Sequence, residues 1–237
     1  MCGTGRSANC GALLNPNNAD DAGGPYSDGN YLVYDANAVT WTGTTSGYTG
    51  PHSAPLVLSS ANQYGPSNAW ADYSSGKWVS LTDSTAPDPG CTQNANSTAC
   101  SYQALYVISF TIPMGLDPAL VHVSGSWTGD DTGHMVVNGT SLSGNSPSQG
   151  GQLADSCGTA PFCGASAGLT SFTLSNAVAG VSFVTGTNYV GFQVDQADDY
   201  YDGVVVDSLT ASTPEPATWT LFAAGVLALG VLRRRRA

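Results

Sequence analysis

Residues 102–112 read YQALYVISFTI, and this stretch decides the fold. Tyr102, Ala104, Tyr106, Ile108, Phe110 and Ile112 fall on one face, the period of two that an extended strand produces. The pattern continues toward the C-terminus. Val121, Val123 and Trp127 alternate with His122, Ser124 and Ser126, which assigns Trp127 to the core and His122 to an exposed polar face. HMVVNGTSL at 134–142 carries Asn138-Gly139, the residue pair of a tight hairpin turn. LTSFTL at 169–174 and GVVVDSLT at 203–210 are further strands. In TNYVGFQVDQ at 187–196, Val190, Phe192 and Val194 share a face. No part of residues 1–213 sustains a helical period.

Upstream of about Pro89 the signal weakens. NPNNADDAGGPYSDGN at 15–30 reads as loop, while YLVYD at 31–35 and LVLSS at 56–60 are short strands. The expected organisation is a loop-rich segment 1–30, one β-sandwich over 31–211, and a separate tail over 213–237. The fold class is all-β: an antiparallel sandwich of roughly eight to ten strands, of jelly-roll type. A single transmembrane helix is expected after it.

Composition agrees with short strands and many turns. Charged residues make up 10% of the 237, against 29 Gly and 13 Pro, so long amphipathic helices are missing. The only Glu is Glu215, and the only basic residues before residue 233 are Arg6 and Lys77. Residues 1–213 therefore hold 16 Asp against two basic side chains, a net charge of −14. That balance argues against nucleic acid and anionic lipid headgroups as partners of the body.

The six cysteines fall into close pairs: Cys2 with Cys10, Cys91 with Cys100, and Cys157 with Cys163. No CxxC occurs and no His lies near a pair, so disulfides closing short loops in an oxidising compartment are expected rather than a zinc site.

From Thr213 the chain reads TPEPATWTLFAAGVLALGVLRRRRA. Pro214, Glu215 and Pro216 hold the backbone extended. Residues 217–232 are apolar apart from two Thr, and Arg233, Arg234, Arg235 and Arg236 follow. Sixteen residues span roughly 24 Å as a helix, short of the ~30 Å hydrocarbon core, and snorkelling arginines make up the difference. The arginines stay on the cytoplasmic side, which places residues 1–213 outside.

The order Pro-Glu-Pro, short apolar run, Arg cluster resembles the PEP-CTERM sorting signal of Gram-negative bacteria. The resemblance implies recognition and cutting near Pro214, Glu215 and Pro216 by an exosortase, transient anchoring in the inner membrane, and release to the cell surface or beyond. It also implies an association with exopolysaccharide and biofilm. A protein so sorted is expected to carry a signal peptide. The start MCGTGRSANC has neither a basic nor an apolar leader region, so the true start is expected upstream or the chain is a fragment.

Residues 100–211 are similar to galactose-binding-like jelly rolls. The likeness lies in Trp127 and the acidic loop before the Asn138-Gly139 hairpin, and in Gly186, Asn188, Phe192, Val194 and Asp195 of a late strand. Sugar binding needs aromatic faces and hydroxyl-directed polar groups. Candidates are Trp70, Tyr73, Trp78, Tyr200 and Tyr201 for stacking, with Asp130, Asp131 and Asn145 for hydrogen bonds; core packing is the competing role for each Trp. Calcium is the cofactor candidate, through Asp198, Asp199 and Asp202 beside Gly203, or Asp20, Asp21 and Asp28; a solvated acidic loop competes.

No catalytic residue stands out. Asp130 or Asp131 with Asp195 would be the carboxylate pair of a glycoside hydrolase. No GxSxG occurs, and His52, His122 and His134 lie in ordinary contexts. The expected function is therefore a non-enzymatic, exosortase-sorted surface or matrix protein with an exopolysaccharide or other glycan as partner. A secreted glycan-processing enzyme and a permanently anchored structural protein are the alternatives.

Overall fold

The structure, a computed structural model, describes residues 26–27, 32–53, 56–58, 78–80, 91–94, 97–100, 103–130, 132–153, 168–195 and 203–212. These form sixteen strands. In the first half they are β1 (Tyr26–Ser27), β2 (Leu32–Asp35), β3 (Thr40–Trp41), β4 (Tyr48–Thr49), β5 (His52–Ser53), β6 (Leu56–Leu58), β7 (Trp78–Ser80), β8 (Cys91–Asn94) and β9 (Ser97–Cys100). The second half supplies β10 (Gln103–Ile112), β11 (His122–Asp130), β12 (Thr132–Val137), β13 (Thr140–Ser141), β14 (Thr170–Leu174), β15 (Gly186–Asp195) and β16 (Gly203–Ser212). The count exceeds the expected eight to ten because many of the additional strands have two to four residues, too few for alternation to register. One of them, β1, lies inside the stretch expected to be loop.

All pairings are antiparallel. One six-stranded sheet runs β1-β6-β7-β16-β11-β14 and the other β13-β12-β15-β10-β2-β5. From β10 onward the chain passes between the sheets at nearly every step, so β7-β16-β11-β14 faces β13-β12-β15-β10. That interleaving is the winding of a jelly roll. The β3–β4 and β8–β9 hairpins stand outside both sheets.

The core lies between the sheets. Ala104, Tyr106, Ile108 and Ile112 of β10 meet Val123 and Trp127 of β11, with Met135, Phe172, Phe192, Val204 and Val206 around them. Trp127 is fully buried, as its alternation predicts, and packs at 5.2 Å from Phe192. Leu105 and Val107, on the opposite face of β10, are buried as well, in a second cluster with Tyr34, Tyr48 and Val136. The β3–β4 hairpin caps that face. This is why LYVI is apolar without a break: the middle of β10 is covered on both sides.

A bulge adjusts β16. Its register on β11 shifts between Ser124 and Ser126, so that Ser208 and Leu209 together oppose Gly125. A side chain on Gly125 would press on the Asp207 carbonyl at 3.1 Å and on Leu209 Cα at 3.2 Å, so glycine makes room for the extra residue.

The strand pairings give the sandwich two distinct ends. Gln103, Thr132 and Asp195 are neighbours at one end, and Asp130 pairs there with Gly203. At the other end Ile112 pairs with Gly186 and His122 with Ser212. Among the described residues no helix is long and apolar enough to cross a membrane. The expected membrane helix 217–232 lies outside those residues.

Candidate functional site

At the first end, β11 hands over to β12 through residue 131 alone, and β15 to β16 through residues 196–202. Because Asp130 pairs with Gly203 and Thr132 with Asp195, both connections leave the same rim. Two groups of candidates distant in sequence, Asp130 and Asp131 on one side and residues 198–202 on the other, thus arise from adjoining strand ends. Only the backbone of Asp130 is described. Asp131, Asp198, Asp199, Tyr200, Tyr201 and Asp202 lie outside the described residues.

The described side chains at this rim centre on His134. Thr132 and His134 are on the face of β12 away from the core, and the neighbouring strand presents Asp195 and Gln193. The His134 Nδ1 is 3.9 Å from Asp195 Oδ2, while Gln193 Nε2 donates to Asp195 Oδ1 at 3.0 Å. His134 is 7% exposed, and its Nδ1 has no hydrogen-bond partner. Burial lowers the imidazole's pKa; the Asp195 charge and a hydrogen bond with the Gln152 side chain act in the other direction. The result is a neutral, buried imidazole beside a half-buried carboxylate. Sequence reading passed over His134, since nothing local marks a histidine on an outward strand face as buried.

The second aromatic cluster was also missed. Trp41 and Tyr48 lie 4.9 Å apart in the β3–β4 hairpin, and Tyr189 sits edge-on to both, at 5.6 and 6.1 Å. Tyr34 continues the row to Tyr48 at 5.9 Å and to exposed His52 at 5.2 Å. The Gly139 amide donates to Tyr48 Oη at 3.2 Å. Desolvation pushes the Tyr48 phenol up to about 12. Tyr34 is raised too, first by burial and then by Tyr189. These rings anchor the hairpin, and Trp41 and Tyr189 keep part of their surface in water.

The remaining candidates are dispersed. Trp78 opens β7 opposite Val205, with only its backbone described. Trp70, Tyr73, Asp20, Asp21 and the tail residues lie outside the described residues, as do Asp28, Cys2, Cys10, Cys157 and Cys163. Asn145 does not join Asp130: its Nδ2 donates to the Ala179 carbonyl at 2.8 Å, in the connection between β14 and β15 at the opposite end. His122, expected on an exposed face, is half-buried at the start of β11. Of the late-strand residues, Phe192 and Val194 are core and Asn188 is fully buried in hydrogen bonds. Asp195 alone reaches the rim. Cys91 and Cys100 are register partners in the β8–β9 hairpin.

At Ser212, where β16 ends, the chain enters its tail. Residues 212–236 match the PEP-CTERM protein-sorting motif. The PEP-CTERM motif implies exosortase-dependent export, membrane-anchored sorting toward the cell surface, and processing by the exosortase. No curated protein matches the chain. Among solved structures it is similar to the enzymatically active domain of tailspike protein 4 of bacteriophage CBA120, at 11% identity and a TM-score of 0.37. That alignment covers 84% of this chain and 21% of the tailspike chain, and a likeness so distant carries no argument.

Proposed function

We propose that this protein is a non-enzymatic surface or matrix protein, a β-sandwich delivered outside the inner membrane by exosortase sorting, where it associates with exopolysaccharide. The PEP-CTERM motif beginning at the last residue of β16 carries this reading. It joins the sandwich directly to a sorting tail, so the exported cargo is the sandwich itself. A body of net charge −14 repels polyanions and leaves neutral or cationic glycans as partners. Aromatic side chains with part of their surface in water, Trp41 and Tyr189, add stacking area to the loop candidates named above.

The test is a pull-down of the released body on the producer's own polysaccharide and on a panel of neutral glycans. Retention on at least one, weakened by replacing Trp41 with Ala, is the expected result. No retention on any would remove the glycan from the proposal and leave the sorted surface protein.

A second reading, a glycan-processing enzyme, is favoured by one observation: the buried His134 imidazole lies beside the Asp195 carboxylate, at the rim where the backbone of Asp130 pairs with Gly203. Turnover of a polysaccharide that disappears in both Asp195→Asn and Asp130→Asn would establish it in place of the first.

A further inference from the structure

We propose that the connection between β10 and β11, residues 113–121, rests on the lipid surface while the tail is anchored, so that the sandwich stands on the membrane with its acidic rim pointing away. The proposal rests on the sorting-tail reading and adds which surface of the body meets the bilayer.

The first argument is reach. Ser212, the last residue of β16, pairs with His122, the first of β11. Residues 113–121 run into His122, so this connection lies beside the point where the tail departs. Only residues 213–216 separate Ser212 from the apolar run that starts at Ala217. Fully extended, the five steps from Ser212 to Ala217 cover at most about 18 Å. With the apolar run in the bilayer, this end of the sandwich is held against the headgroups.

The second argument is what that end presents. Met114 is 92% exposed and Leu120 47% exposed, two of the three large apolar side chains exposed among the described residues. The connection is rigidly held from within. Val121 is buried in the core, half-buried Leu116 packs against it, and Asp117 Oδ1 accepts from the Ala119 amide at 2.9 Å. Met114 and Leu120 therefore project from an ordered turn. The other connections at this end, Asn138-Gly139 and residues 175–185, contain no charged residue, which leaves Asp117 as the one charge of the three.

The third argument is polarity. Asp130 and Asp195 lie at the opposite rim, from which Asp131 and residues 196–202, with Asp198, Asp199 and Asp202, also depart. An anionic leaflet repels that rim more strongly than the end whose connections carry Asp117 alone. The body as a whole is too acidic to bind such a membrane by itself, and the tether supplies the local concentration.

Met114 is its own reporter, since thioether oxidation follows exposure. Met135, fully buried, is the internal check on folding. The full chain is reconstituted into phosphatidylethanolamine–phosphatidylglycerol vesicles, floated, and treated with peroxide beside free N-acetylmethionine. Mass spectrometry then follows each residue. The expected result is that Met114 oxidises roughly tenfold more slowly than the free compound, and that Leu120→Asp restores most of the rate. Oxidation of Met114 in floated chain at the free rate overturns the proposal and leaves the anchor intact. Protection that survives Leu120→Asp also overturns it, because lipid contact through this turn would then not be the cause. Chain that fails to float sinks the anchoring reading itself.

Discussion

Asn188 shows what a single residue does in this sandwich. Its Oδ1 accepts from the Val184 amide at 2.9 Å and from Asn138 Nδ2 at 3.0 Å. Its Nδ2 donates to the Val184 and Gly186 carbonyls at 2.7 and 3.0 Å. Asn138 in turn accepts from the Tyr189 amide and donates to the Ser182 carbonyl. Two amides thereby hold the β12–β13 turn and the approach to β15 together. Asn188→Ala leaves buried backbone groups without partners and should cost about 3 kcal/mol, read as a lower urea midpoint with an unchanged slope.

His134 gives a prediction with a sign. Its folded pKa lies below the ordinary 6.5, with burial the main cause. Between the two values the unfolded chain binds more protons than the folded one, so stability falls as pH drops below about 6.5. The nearby Asp195 moderates the fall. The urea midpoint should decline from pH 7 toward pH 5, and His134→Gln should flatten that decline. Neither role was readable in the sequence, because both depend on strands joined only by the fold.

At the scale of elements, the β3–β4 hairpin depends on two glycines that accept an aromatic ring. Gly139 has φ +78° and lies against the Trp41 ring, so a methyl group there meets both strain and the indole. Gly47, at φ +69°, stands in the same relation to Tyr189. Gly139→Ala should destabilise the protein by about 2 kcal/mol or more through the backbone cost and the displaced ring. Limited proteolysis should cut first within residues 36–50. The β8–β9 hairpin makes a different demand. An isolated two-stranded hairpin is marginal in water, and CTQNANSTAC has no large apolar side chain to pack. Its outermost register pair is Cys91 and Cys100. Counting the alternation out from Asn94 and Ser97 puts that pair at a non-hydrogen-bonded position, where Cα atoms lie about 4.5 Å apart, within the range a disulfide spans. Non-reducing peptide mapping of exported protein should find Cys91 linked to Cys100; a link from either to another cysteine would contradict the register. Strands such as β10 and β15 were legible because ten residues repeat the alternation five times. Strands such as β3 and β4 were not, since two residues carry no period.

The whole molecule is organised along one axis, from the tail at Ser212 to the acidic rim at Asp130 and Asp195. The sequence announced an arginine-terminated apolar tail and clustered aspartates separately, but gave no way to see that Ser212, where the tail begins, lies at the opposite end of the sandwich from Asp130 and Asp195. That arrangement follows from β11 running from His122 at one end to Asp130 at the other, with β16 antiparallel beside it. The same axis bears on processing. Pro214, Glu215 and Pro216 follow the last residue of β16 after Thr213 alone, so the sorting reading expects an exosortase to cut in a short linker while the sandwich stays folded. Mass spectrometry of protein recovered outside the cell should therefore give a C-terminus near these residues, with the peptide containing Arg233 to Arg236 absent. Replacing Pro214, Glu215 and Pro216 with Ala should instead leave the intact chain in the inner-membrane fraction, its sandwich still open to protease added to spheroplasts. Recovery of uncut wild-type chain in that fraction alone would identify the tail as a permanent anchor, and the acidic rim would then mark the outer limit of a fixed surface protein.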